Sequence, residues 1–146
     1  MVFKPHPQAE DRRRSAMALI GLLLTNQRPE IQPKQLRELL KILLGKISEA
    51  DGKYKTRHQS LGALQCRDKK QLRHDHVYTR IRMIDALMKA KPEDLSEILQ
   101  NAIGCTVTHE EHLRLTRFDK THNGWDRYRN AKVSVKNTEP GEQDPS

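Results

Sequence analysis

Pro33-Lys34-Gln35-Leu36-Arg37-Glu38-Leu39-Leu40-Lys41-Ile42-Leu43-Leu44-Gly45-Lys46-Ile47 is the stretch that decides the fold class. Leu36, Leu39, Leu40, Leu43, Leu44 and Ile47 recur at steps of three and four, which lines them along one helical face. Pro33 suits a first helical position, because its missing N–H has no intrahelical partner there in any case. Asp51-Gly52 then marks a turn. Upstream, Glu10 to about Thr25 reads as another helix. Leu19, Ile20, Leu22 and Leu23 are expected inward, with Asp11, Arg12, Arg13 and Arg14 on the exposed first turn. Asn26-Gln27-Arg28-Pro29 closes it, since proline disfavours helix at the residue before it. The two helices predict an antiparallel hairpin over 10–50, a structural or dimerisation element.

Downstream the pattern stays helical with brief interruptions. From Arg80, Ile81, Ile84, Leu87 and Met88 take helical spacing, and Lys91-Pro92-Glu93 breaks it. A further helix runs through Leu95, Ile98 and Leu99, with Gly104 as its stop. Cys105-Thr106-Val107 has β character. Thr108-His109-Glu110-Glu111 is a capping box that opens a helix carrying His112, Leu113 and Leu115. Trp125-Asp126-Arg127-Tyr128-Arg129 reads as amphipathic, with Arg127 and Arg129 on the outer side. Val133 and Val135 suggest a short strand. Residues 1–9 read as a loose arm, 10–135 as one domain, and 136–146 as a disordered tail. The expected class is mainly α with a few short strands, α+β.

Composition narrows the partners. The 146 residues hold 27 Lys and Arg against 19 Asp and Glu, a formal charge of +8 with the histidines neutral. That balance favours a polyanion through counterion release. Aromatic residues make up only 4%, which argues against a single-strand binder built on base stacking. Cys66 and Cys105 are too few for a disulfide scaffold and form no C-x-x-C pair. The apolar run Met17 to Leu24 is too short to span a bilayer. A cytoplasmic protein without a membrane partner is expected.

The basic residues gather in the middle: Lys53, Lys55, Arg57, Arg67, Lys69, Lys70 and Arg73 are the candidate phosphate contacts. They lead into Arg73-His74-Asp75-His76, and a second group, His109-Glu110-Glu111-His112, follows later. In an extended segment His74 and His76 share one face while Asp75 looks the other way. A strand-borne Asp-His meeting a helix-borne His is a workable site for a divalent metal. Its chemistry would be phosphodiester hydrolysis, with a histidine taking a proton from water.

Asp75-His76-Val77 followed by Cys105 to Leu115 resembles the HNH, or ββα-metal, nuclease core over about residues 72–117. The resemblance implies a ββα-type segment after the hairpin, a basic HNH-like part over 53–135. It implies Asp75 and His112 as metal ligands, His76 as general base, and Mg²⁺, Mn²⁺, Ni²⁺ or Zn²⁺ as cofactor. Asn101 is the candidate for the family's middle asparagine, with His74 and His109 as auxiliary residues. The proline usual after the base histidine is replaced by Tyr78-Thr79-Arg80. A setting in phage or bacterial defence follows from the resemblance alone. Two expectations stand side by side: a metal-dependent endonuclease, DNA ahead of RNA, or a non-catalytic basic nucleic-acid-binding, adaptor or inhibitor module. In either, the 33–49 helix is the expected seat of a second copy or a protein partner.

Overall fold

The computed structural model describes residues 1–145 and is an α+β fold. Helices α1 (Ala9–Thr25) and α2 (Pro33–Ser48) form the hairpin, with Pro33 in the first turn of α2. Ala16 and Ile20 of α1 meet Leu36, Leu40, Leu44 and Ile47 of α2 in a helical core. Helices α4 (Arg80–Lys89) and α5 (Leu95–Leu99) complete it through Met83, Ile84, Leu87, Leu95 and Leu99. Several leucines of the hairpin expected inside are not: Leu19 and Leu39 are exposed, and Leu22 retains 59% of its surface; Ile81 of α4 is exposed as well. The hairpin is covered on one side only, so apolar residues flanking its inner stripe stay in solvent.

The second half is built on a mixed sheet in the order β2-β3-β1-β4. Its strands are β1 (His58–Ser60), β2 (Leu72–His76), β3 (Gly104–Thr108) and β4 (Val135–Asn137). β3 lies antiparallel to β2 and parallel to β1, and β4 runs antiparallel to β1. The first four residues of β3 are buried, as a central strand requires. Helix α3 (Leu61–Gln65) follows β1, capped by the Ser60 hydroxyl accepting from Ala63 N–H. Helix α6 (His109–Thr116) begins at the capping box read from the sequence, with both reciprocal bonds formed. Helix α7 (Trp125–Asn130) packs Tyr128 with Val77, Cys105, Val107, Leu115 and Val133 in a second core. Tyr78 touches both cores.

The boundaries of the domain differ from those read off the sequence. The arm is anchored: Phe3 is buried, its N–H donates to the Thr138 carbonyl at 2.9 Å, and its ring lies under the Arg57 guanidinium. The expected tail begins inside β4, where Lys136 pairs with Gln59; its last residue, Ser146, lies outside the described residues. Gly104 opens β3 and does not stop α5, which ends at Leu99. A side chain there would bring a Cβ to 2.3 Å from the His74 ring and 2.9 Å from the Ser48 carbonyl oxygen. Glycine therefore serves close packing between β3, β2 and α2. Among the described residues no helix is long and apolar enough to cross a membrane.

Candidate functional site

Strand β2 places the two half-motifs. Pairing with β3 sets Asp75 opposite Cys105, and His74 and His76 opposite Thr106 and Gly104. Alternation along the strand then sends Asp75 toward α6 and α7 and the two histidines toward α2. Asp75 is buried, and its Oδ2 accepts from Arg127 Nη2 and from the Tyr128 hydroxyl, each at 2.5 Å. Its Oδ1 lies 3.3 Å from His112 Nδ1 on α6. That pair is close enough for charge attraction but out of line for a hydrogen bond, and the Nδ1 atom is buried without a hydrogen-bond partner.

Arg127 is the centre of this network. The sequence puts it on an outer face; the structure buries it at 1% exposure. Its Nη2 also donates to the His76 carbonyl at 2.7 Å, and its Nη1 donates to Asp119 Oδ1 at 2.9 Å. A guanidinium fits such a role because its planar fork offers several donors at once. Gly124, at φ +62°, turns the chain into α7 with the Tyr78 ring packed where a Cβ would stand, and so seats this helix on the sheet. Burial pushes the Asp75 carboxyl up, but His112, Arg127 and Tyr128 together hold it below its ordinary value. Burial and the neighbouring charges of Cys105 and Asp75 raise the Tyr128 hydroxyl, and burial and Asp75 raise the Cys105 thiol. The centre is thus one carboxylate satisfied by a cation and a phenol that keeps its proton.

The opposite face of β2 holds a different arrangement. Ser48 Oγ lies 2.9 Å from His74 Nε2, and the His74 and His76 rings meet edge to face at 5.1 Å. Burial, then the charges of Arg80 and His74, bring His76 down to about 3. Burial also lowers His74, against the opposing pull of Glu49 and Asp75. Both rings are therefore neutral near pH 7. A group that releases its proton near pH 3 is a weak base for activating water.

The metal ligands implied by the HNH resemblance, Asp75 and His112, do meet. Oδ1 and the orphaned Nδ1 are spaced so that one small cation could touch both. The other carboxylate oxygen is already taken by Arg127 and Tyr128, and His76 stands on the far face of the strand. Among the described residues no group of three or more His, Cys, Asp or Glu converges as a metal site. The residues fit a metal on one side only.

The remaining candidates lie apart. Lys53, Lys55, Arg67, Lys69 and Lys70 are exposed. Arg57 is exposed and paired with Glu139 at 2.9 Å, while Arg73 is half-buried and donates to the Lys70 and Leu72 carbonyls at 2.7 Å. Asp68 accepts from Lys70 N–H and so caps the 3-10 turn over 69–71, which presents Lys69 and Lys70 from a fixed scaffold. Asn101 is exposed between α5 and β3, and His109 is exposed at the start of α6.

Arg127 escapes sequence reading because the amphipathic pattern around Trp125 assigns arginine to water by default, while Tyr128 is legible as an inner residue but not as a donor to Asp75. Glu111 is legible as a cap and as a member of the His109-Glu110-Glu111-His112 group, not as a link between elements. Its carboxylate also accepts from the Ser60 hydroxyl at 2.5 Å and from Gly62 N–H at 3.2 Å, joining α6 to β1 and α3. Comparison of the chain with protein-family models, with curated proteins and with solved structures finds no match.

Proposed function

We propose that the chain binds nucleic acid through the basic stretch 53–73 and does so without cutting it. The observation that favours binding over cutting is the closure of Asp75: Arg127 and Tyr128 occupy Oδ2 at 2.5 Å each in a buried interior. A carboxylate already neutralised by a buried guanidinium is a poor seat for a further cation. The exposed lysines and arginines supply an electrostatic footprint on a chain of net charge +8.

The test is fluorescence anisotropy with duplex DNA and duplex RNA over a salt series, with EDTA and with Mn²⁺. Engagement of about four to six phosphates predicts a log–log salt slope of roughly −4 to −5 on B-DNA. The triple change Arg67→Gln, Lys69→Gln and Lys70→Gln should lower affinity across sequences and flatten that slope. Salt-insensitive affinity, or none, would overturn the reading.

A metal-dependent nuclease is the second reading. It is supported by the order β2, β3, α6 and by the 3.3 Å approach of His112 to Asp75. A bound metal would supply charge stabilisation at phosphate. Here Asp75 and His112 would hold it, and Arg127 would orient Asp75. Cleavage in Mn²⁺ that disappears in His112→Ala would establish it in place of the first.

A further inference from the structure

A cleft of about 380 Å³ opens where the C-terminal end of α2 and the starts of β1 and β3 meet the loop after α5. That volume lies in the range of small-molecule sites. Met17, Leu99 and Ile103 give it an apolar wall, while Arg13, Arg57 and Gln100 border it with donors. Both arginines are held in place. Arg13 pairs with Asp51 at 3.2 Å, and Arg57 pairs with Glu139 at 2.9 Å beneath which the Phe3 ring packs. Each ion pair uses only part of a guanidinium that carries five N–H donors. His58 also lines the cleft, and its ring meets Trp125 at 5.0 Å. Burial and Arg57 bring His58 down to about 4, so this wall carries no charge of its own near pH 7.

An apolar lining that shares its cleft with two guanidiniums, one of them paired with Asp51 of the same lining, matches a flat, largely apolar ring joined to an anionic group. We propose that the cleft takes a nucleoside monophosphate, its base against Met17, Leu99 and Ile103 and its phosphate against Arg13 and Arg57. The inference rests on the nucleic-acid reading and deepens it. Arg57 belongs both to the basic stretch and to the lining of the cleft, which links the two. The same chemistry can come from a free mononucleotide or from a nucleotide turned out of a strand.

Trp125 is the single tryptophan of the chain, so its emission reports on the His58 wall. The full chain is titrated with the four ribonucleoside monophosphates, with a single-stranded oligonucleotide and with inorganic phosphate, by calorimetry and by Trp125 emission together. At least one nucleotide form should bind saturably, with phosphate weaker by about tenfold or more, since it lacks the apolar contact. Ala102→Leu, which puts bulk into the cleft, should weaken nucleotide binding by about tenfold, and Gln100→Ala, an exposed change that spares packing, by a few-fold. Binding of duplex through Lys69 and Lys70 should survive both. Response to mononucleotides assigns the free ligand; response to the oligonucleotide alone assigns the turned-out base. Phosphate binding as tightly as nucleotides overturns the proposal, as does silence toward every nucleotide form while duplex binding persists. Loss of duplex binding in the unaltered chain would instead sink the wider reading.

Discussion

The two faces of β2 handle charge in opposite ways. Toward α6 and α7, Asp75 keeps its charge although buried because Arg127 and Tyr128 satisfy it. Toward α2, His74 and His76 give theirs up, because no carboxylate contacts them closely enough to offset burial. One strand of five residues thus carries a paired charge and an avoided charge on alternate positions. The contrast teaches that adjacency in sequence does not make a joint site. The pleat separates Asp75 from His76 more firmly than their neighbouring numbers connect them.

Breaking the paired side should have the largest effect. Arg127→Met leaves Asp75 buried without its cation and should cost about 3–5 kcal/mol; urea unfolding measures it, and a loss under 1 kcal/mol would show that Asp75 does not depend on the pair. Gly104→Ala strikes the other face, where the new Cβ meets the Ser48 backbone carbonyl as well as the His74 ring. Overpacking there should cost about 1–3 kcal/mol, and thermal denaturation beside the parent chain reads it directly. Thr108→Ala removes the cap of α6 and should cost about 1 kcal/mol.

Acid separates the faces by pH window. His76 at about 3 and His58 at about 4 lie below their ordinary 6.5, so the unfolded chain binds more protons than the folded one between those values. Stability should therefore fall as pH drops from about 6.5 toward 4 and below. Asp75 is lowered from 3.8, so its contribution is present above that value and is lost only at still lower pH. His76→Gln should flatten the slope of unfolding midpoint against pH between about 6.5 and 3; an unchanged slope would mean that His76 does not stay neutral in the fold. Leu22→Ser should have the smallest effect, within about 0.5 kcal/mol, because this leucine is exposed.

What the sequence made legible was local. The periodicity of Leu36 to Ile47, the capping box at Thr108 and the β character of Cys105 to Val107 all correspond to elements formed by neighbours along the chain. Asp75 and His112, which the sequence offers as a pair only through a resemblance, lie 3.3 Å apart. β1 was hidden because His58-Gln59-Ser60 is too short for alternation to show and sits in a basic run that reads as solvated. Leu19, Leu22 and Leu39 were misplaced because helical spacing reports that a stripe is apolar, not how much of its width a neighbour covers. Arg127 was hidden because a buried arginine looks like any other until its partner is known, and Asp75 lies 52 positions away.

That separation bears on how the chain acquires its shape. α1 and α2 are neighbours and can pair early, since closing a short loop loses little entropy. β1 must wait for β3, and then for β4, whose Asn137 stands opposite His58. The Asp75–Arg127 lock needs α7, which comes still later than β3 in the chain. In a chain emerging from its N-terminus, the carboxylate of Asp75 stays in water until Arg127 has been made and can pair with it. Sealing that charge and completing the second core both depend on α7, so the two are tied to the same late-made segment of the chain.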